Sequence, residues 1–115
     1  MKKSYVLFIV IQEHYKVNAV LKILEDLGVP GATTLDTMGA ASLSIPMYNM
    51  YDLTSPMTDL ALTSNFNKTI FSVVPDEETV IGVMDAVEKI LGMDPSKSGK
   101  GIMFTVPLVG QAGIL

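Results

Sequence analysis

The 115-residue sequence has no cysteine; its eight basic residues are all lysine, so there is no arginine, and histidine occurs once, at position 14. Without cysteine there is no disulfide framework, thiolate nucleophile or thiolate metal site. Without arginine the chain lacks the planar fork that reads base edges, and its formal charge of −4 opposes polyanions in general, so nucleic-acid recognition is disfavoured. A single histidine beside Glu13 falls short of the ligand set of a zinc site. It also leaves Ser72 and Thr105 without the context of a catalytic triad, so no catalytic constellation is found and a non-enzyme is expected. Long apolar runs are missing as well: none reaches the ~20 residues needed to span a bilayer. The start MKKSYVLFIVI imitates a signal peptide, but its apolar run is short, has no small-residue cleavage site and passes straight into Gln12-Glu13-His14. A first strand in a cytoplasmic protein is the simpler expectation.

What is present argues for a packed fold. With 49% hydrophobic and only 17% charged residues, the chain is too apolar for disorder, and its length suits one domain over residues 1–115. The β-branched and aromatic run Tyr5 to Ile11 predicts a buried strand. In VNAVLKILEDLG, residues Val17, Val20, Leu21, Leu24 and Leu27 recur at helical spacing, and Gly28 is placed to end the helix in the left-handed conformation. Threonine-rich Ala32 to Thr37 predicts a second strand. The order then repeats. Lys68 to Val74 is strand-like, and Pro75-Asp76-Glu77-Glu78 supplies a stop and an acidic helix start. Val80, Val83, Met84, Val87, Ile90 and Leu91 form one helical face closed by Gly92, and Gly101 to Val109 predicts a fourth strand. Met84 and Met103 read as core. The pattern β-α-β, long loop, β-α-β is that of an α+β, ferredoxin-like βαββαβ sandwich: a four-stranded antiparallel sheet with two helices on one face.

Such a sheet has one face free, and a wet face calls for alternating polar residues. These strands do not alternate: Val6, Phe8 and Val10 point one way, while Leu7, Ile9 and Ile11 point the other. Ile70, Phe71, Val73 and Val74 also load both faces. Soluble monomers rarely expose an apolar patch of that size, so a second copy of the sheet is expected to cover it in a closed homo-oligomer.

Residues 39–66 form a loop longer than compact domains usually carry. It holds Met47, Tyr48, Met50, Tyr51 and Met57 but only two charges, Asp52 and Asp59. Methionine and tyrosine together describe an adaptable contact surface, so the loop either docks a partner or folds back on the oligomer. The segment Ser96-Lys97-Ser98-Gly99-Lys100-Gly101 is not a P-loop, because the G-x-x-x-x-G-K-[ST] pattern fails and a strand follows it. It is either an ordinary Ser/Gly/Lys connector or an anion-binding nest of successive N–H groups. The acidic cluster Asp76-Glu77-Glu78 is accounted for by a helix start. Asn67-Lys68-Thr69 matches the glycosylation pattern, which has no expected role without secretion.

The stretches VLFIVIQEHYKV, LEDLGVPGATTLDTMG, KTIFSVVPDEETV and SGKGIMFTVPL, in that order and spacing, resemble the PII signalling family and the wider group of PII-like proteins. The resemblance covers nearly the whole chain outside the loop. It implies a homotrimer whose sheets line a central core, with an adenine nucleotide (ADP, ATP or AMP) bound in the clefts between subunits. It further implies that residues 39–66 are the T-loop, which reports the ligand to a regulated partner such as a membrane transporter or an enzyme. Carried over by position, Lys97, Ser98, Gly99, Lys100 and Gly101 would contact the nucleotide. Ile11, Thr33 and Val73 would border the adenine, and Gly39, Ala41 and Ser42 would approach the phosphates from the loop root. Two departures stand out. Ala40-Ala41-Ser42 replaces the usual glycine and basic residues at that root, and the C-terminal LVGQAGIL supplies none of the usual arginines. They favour a less charged ligand, ADP or AMP, over a magnesium-bound triphosphate. Two readings follow: a nucleotide-binding sensor, or a trimeric structural module that docks a partner through its Met/Tyr-rich loop without any small ligand.

Overall fold

A computed structural model describes residues 3–39, 66–93 and 101–114. Strand β1 spans Tyr5–Ile11, and a short 3-10 turn at His14–Lys16 leads into helix α1, Val17–Asp26. Strands β2 (Thr33–Met38) and β3 (Phe66–Val74) follow, then helix α2 (Glu77–Leu91) and strand β4 (Gly101–Pro107). The sheet order is β2-β3-β1-β4 and every neighbouring pair is antiparallel. Each βαβ half therefore leaves a gap between its two strands, and the other half fills it. This is the ferredoxin-like arrangement expected from the repeated pattern.

The two helices start and stop for different reasons. The N-cap of α2 is Asp76, whose carboxylate accepts the backbone N–H of Thr79 at 2.8 Å, with Glu77 and Glu78 in the first turn. Gly92 closes it at φ 66°. Helix α1 has no side-chain cap at Lys16; the preceding turn is held by the ion pair of Lys16 with Glu13, at 3.1 Å. Its C-terminus is a Schellman motif: Gly28 (φ 85°) donates to the Glu25 carbonyl at 3.1 Å, and Val29 donates to that of Leu24 at 2.7 Å. The chain is thereby turned so that Val29, itself buried, packs beside Leu24 in the core.

That core lies between the helices and one face of the sheet. Leu7, Ile9 and Ile11 of β1 and Ile70 and Val74 of β3 meet Val20 and Leu24 of α1 and Val80, Val83, Val87 and Leu91 of α2. Met84 and Met103 pack against its margin, as expected. Four boundaries differ from the sequence reading. Leu27 lies past the end of α1 and is exposed, and Ile23 packs against the core in its place. β2 runs one residue later, over Thr33–Met38. β3 begins at Phe66, so that residue belongs to the strand and not to the long loop. β4 stops at Pro107, after which Val109 is fully exposed.

The opposite face carries the load that the lack of alternation implied. Register places Thr33, Phe71, Phe8 and Phe104 in one row across all four strands. The Phe8 ring stacks on Phe104 with centroids 5.0 Å apart and leans on Phe71 at 6.2 Å. Val73, Val6 and Val106 form the row on one side; Leu35, Thr69, Val10 and Ile102 form the row on the other. Ile102, Phe104 and Val106 on the β4 edge are 57%, 42% and 45% exposed, and no described element is layered over this side of the sheet.

Candidate ligand site

Strand β3 outruns β2 at the end where β2 begins: Phe71 pairs with Thr33, and Ser72 to Val74 have no β2 partner. The loop that follows the Gly28 turn fills part of this gap. It is fixed by Ser72, only 3% exposed, whose hydroxyl donates to the Gly31 carbonyl at 3.1 Å. From the other side, the chain after β4 crosses the start of β1, where Leu108 donates to the Ser4 carbonyl at 2.9 Å, and continues toward the loop. Between loop, strand end and tail lies an open groove of about 670 Å³. Thr33, Phe71, Val73 and Pro75 form one wall, and Gly110 to Ile114 form the other.

The opposite end of the sheet holds a second group. Ile11 pairs with Gly101 on β4 and with Lys68 on β3. Gly101 has φ 116°, and a Cβ there would lie 2.0 Å from the Val10 carbonyl oxygen. His14 donates through Nε2 to the Phe66 carbonyl at 2.6 Å, tying the turn before α1 to the first residue of β3. Beyond the helices, Lys68 pairs with Asp36 at 2.6 Å, and the Thr37 and Thr69 hydroxyls share a hydrogen bond of the same length. Glu13 accepts the Tyr15 hydroxyl, which raises the pKa of that phenol above its ordinary value. Among the described residues no cluster of His, Asp or Glu could hold a metal ion.

The residues picked out by sequence thus divide. Thr33 and Val73 lie together at the groove. Gly101 and Gly39 flank the opposite end, roughly 17 Å and roughly 20 Å away from Thr33, respectively, by strand spacing and rise. Ile11 is fully buried on the helix-facing side, so its side chain belongs to the core and offers no surface to an adenine. Strand alternation dictates this, since Ile11 shares the face of Leu7 and Ile9. Ala41 and Ser42, the segment Lys97, Ser98, Gly99 and Lys100, and the loop residues Met47, Tyr48, Met50, Tyr51 and Met57 lie outside the described residues. Sequence reading missed the roles of Ser72, His14 and the tail. The first two act on carbonyls 41 and 52 positions away, which no local pattern marks.

No known family model matches the chain, and no curated protein does. Among solved structures, the crystal structure of Arabidopsis thaliana PII bound to citrate aligns over 93% of this chain and 78% of its own. The TM-score is 0.58 and the sequence identity 17%. The chain has a PII-like fold. At that identity the likeness is one of architecture alone and assigns no site and no ligand.

No described helix is long and apolar enough to cross a membrane.

Proposed function

We propose that this chain is a non-enzymatic, PII-like signalling protein that assembles as a homotrimer in the cytoplasm. It binds an adenine nucleotide between subunits and regulates a protein partner, such as a transporter or enzyme, through residues 39–66. The observation that carries this reading is the split of the site residues between two ends of one sheet. Thr33 and Val73 at the groove and Gly101 at the far end are too far apart within one chain to grip one small ligand. A neighbouring copy could set the Gly101 end of one subunit against the groove of the next. The open apolar face gives such copies a reason to associate, because its three rows of aliphatic and aromatic side chains would leave water. In this arrangement Lys97, Ser98, Gly99 and Lys100 approach the ligand with Gly101, and Gly39, Ala41 and Ser42 form the root through which the loop responds. Ligand then shifts the loop only as far as it contacts the loop states differently. ADP and AMP fit better than a magnesium-bound triphosphate, since the tail that lines the groove carries no cation.

The same uncharged tail favours a second reading, a trimeric module that holds a permanent partner through Met47, Tyr48, Met50, Tyr51 and Met57 and takes no small ligand. Thermal unfolding against ATP, ADP and AMP, with and without magnesium, separates the two. A ligand at ~100 times its Kd adds about 2.7 kcal/mol and raises the Tm by several degrees. A selective rise with one adenine nucleotide supports the sensor. No shift up to millimolar concentration overturns it and leaves the module.

A further inference from the structure

Strand β3 also outruns β1, at the end opposite the groove. The β1 ladder stops where Ile11 meets Lys68, so Phe66 and Asn67 extend past it, paired with Met38 and Thr37 of β2. The β2 side is braced by the hydroxyl pair of Thr37 with Thr69 and by the ion pair of Asp36 with Lys68. On the β1 side a side chain takes the place of the ladder. His14 lies three residues past the end of β1, and its Nε2 donates to the Phe66 carbonyl at 2.6 Å. A carbonyl only accepts, so the ring nitrogen facing it carries the proton. Gly39 completes this corner: a Cβ there would lie 3.8 Å from the Asn67 side-chain nitrogen. The other end of the His14 bond is the turn from which α1 starts. Helix α1 has no side-chain cap, and the turn His14–Lys16 stands in front of it instead. Within that turn the Lys16 amide donates to the Glu13 carbonyl at 2.9 Å, and both the Lys16 ammonium and the Tyr15 hydroxyl meet the Glu13 carboxylate. These bonds make the turn one unit, and His14 ties that unit to the sheet.

We propose that His14 is a positioning residue: it fixes the point at which the chain re-enters the sheet at Phe66, and it couples that point to the start of α1. A change that draws Phe66 out of place must give up the His14 bond and so loosens the turn before α1. The coupling is reciprocal, so a change at the turn alters the hold on Phe66 by the same factor. Its use in signalling rests on the reading of residues 39–66 as the responding loop, and it names α1 as the element that feels the loop root. The bond and the coupling themselves need no ligand.

Amide hydrogen exchange of the full chain without ligand tests this, in the parent protein and in His14→Ala and His14→Gln. His14 is exposed, so either variant leaves the helix-facing core as it is. In His14→Ala, exchange should quicken about three- to tenfold both at Phe66 to Lys68 and at Val20 and Leu21 in the first turns of α1. The last turn of α2, which opens without breaking this bond, should stay within about twofold. Glutamine carries its amide nitrogen as many bonds from Cβ as the Nε2 of histidine, so His14→Gln should return both regions to within about twofold of the parent. A purely steric role for the ring would give no such rescue, and its absence overturns the proposal. Unchanged exchange at Phe66 to Lys68 in His14→Ala overturns it as well. So does a change there that leaves Val20 and Leu21 untouched, because the two ends are then not coupled. Thermal unfolding that finds no nucleotide would remove the ligand reading and leave this coupling standing, so the two fail separately.

Discussion

Gly101 shows how one residue can carry two explanations that must be pulled apart. Its place beside Gly99 and Lys100 suggests ligand contact, yet the backbone alone already demands glycine. At φ 116° a side chain is strained, and a Cβ would press to 2.0 Å on the Val10 carbonyl, which is held in the sheet. Gly101→Ala should therefore destabilise the protein with no ligand present, by about 1–3 kcal/mol from backbone strain alone, before the clash is added. Denaturant unfolding of the apo protein measures it. An unchanged midpoint would mean the chain relaxes at the start of β4 without cost, and the structural reason for this glycine would fall. Tyr15 belongs to the same scale. Its phenol is held protonated by the Glu13 carboxylate that accepts it, so whatever this bond adds to stability is present below the ordinary tyrosine pKa and is lost as pH rises through the raised one.

At the scale of elements, the two helices were equally legible as apolar stripes but are secured differently. Helix α2 announces its start in sequence, because Asp76 sits three residues before the N–H it caps, with acidic neighbours in the first turn. Asp76→Ala should cost about 1 kcal/mol, within a range of roughly 0.5–2, and lower the Tm by several degrees. A loss below a few tenths of a kcal/mol in thermal or denaturant melts would show that the cap is redundant with core packing. Strands were legible as well, since runs such as Tyr5 to Ile11 leave little else to choose, and only their ends shifted by one or two residues. The groove was not legible. It is made where β3 outruns β2, a consequence of register, and its walls come from segments nearly the whole chain apart. Thr33 and Val73 were singled out by resemblance, and Ile11 with them. Alternation along β1, readable from the sequence itself, puts Ile11 in the core.

For the whole molecule the decisive feature is the uncovered side of the sheet. The register that aligns Phe71, Phe8 and Phe104 makes one aromatic band, flanked by valines on one side and by Val10, Ile102 and Leu35 on the other. Each large apolar side chain taken fully from water contributes about 1.5–3 kcal/mol, so partial burial of this band in three copies exceeds what surface ion pairs between subunits would supply. Phe104 is the most telling position. It lies on the edge strand, is 42% exposed in the single chain, and its ring already stacks on Phe8. Phe104→Asp places an unpaired carboxylate in any interface formed by this face while leaving the helix-facing core untouched. Light scattering should give the parent protein three times the 12.4 kDa chain mass, and the variant one chain mass with circular dichroism unchanged. Under the inter-subunit reading the variant also loses nucleotide binding, because its groove no longer meets the Gly101 end of a neighbour. A monomeric parent protein would overturn the trimer. A trimeric variant would move the interface elsewhere on the chain and leave the aromatic band for another partner.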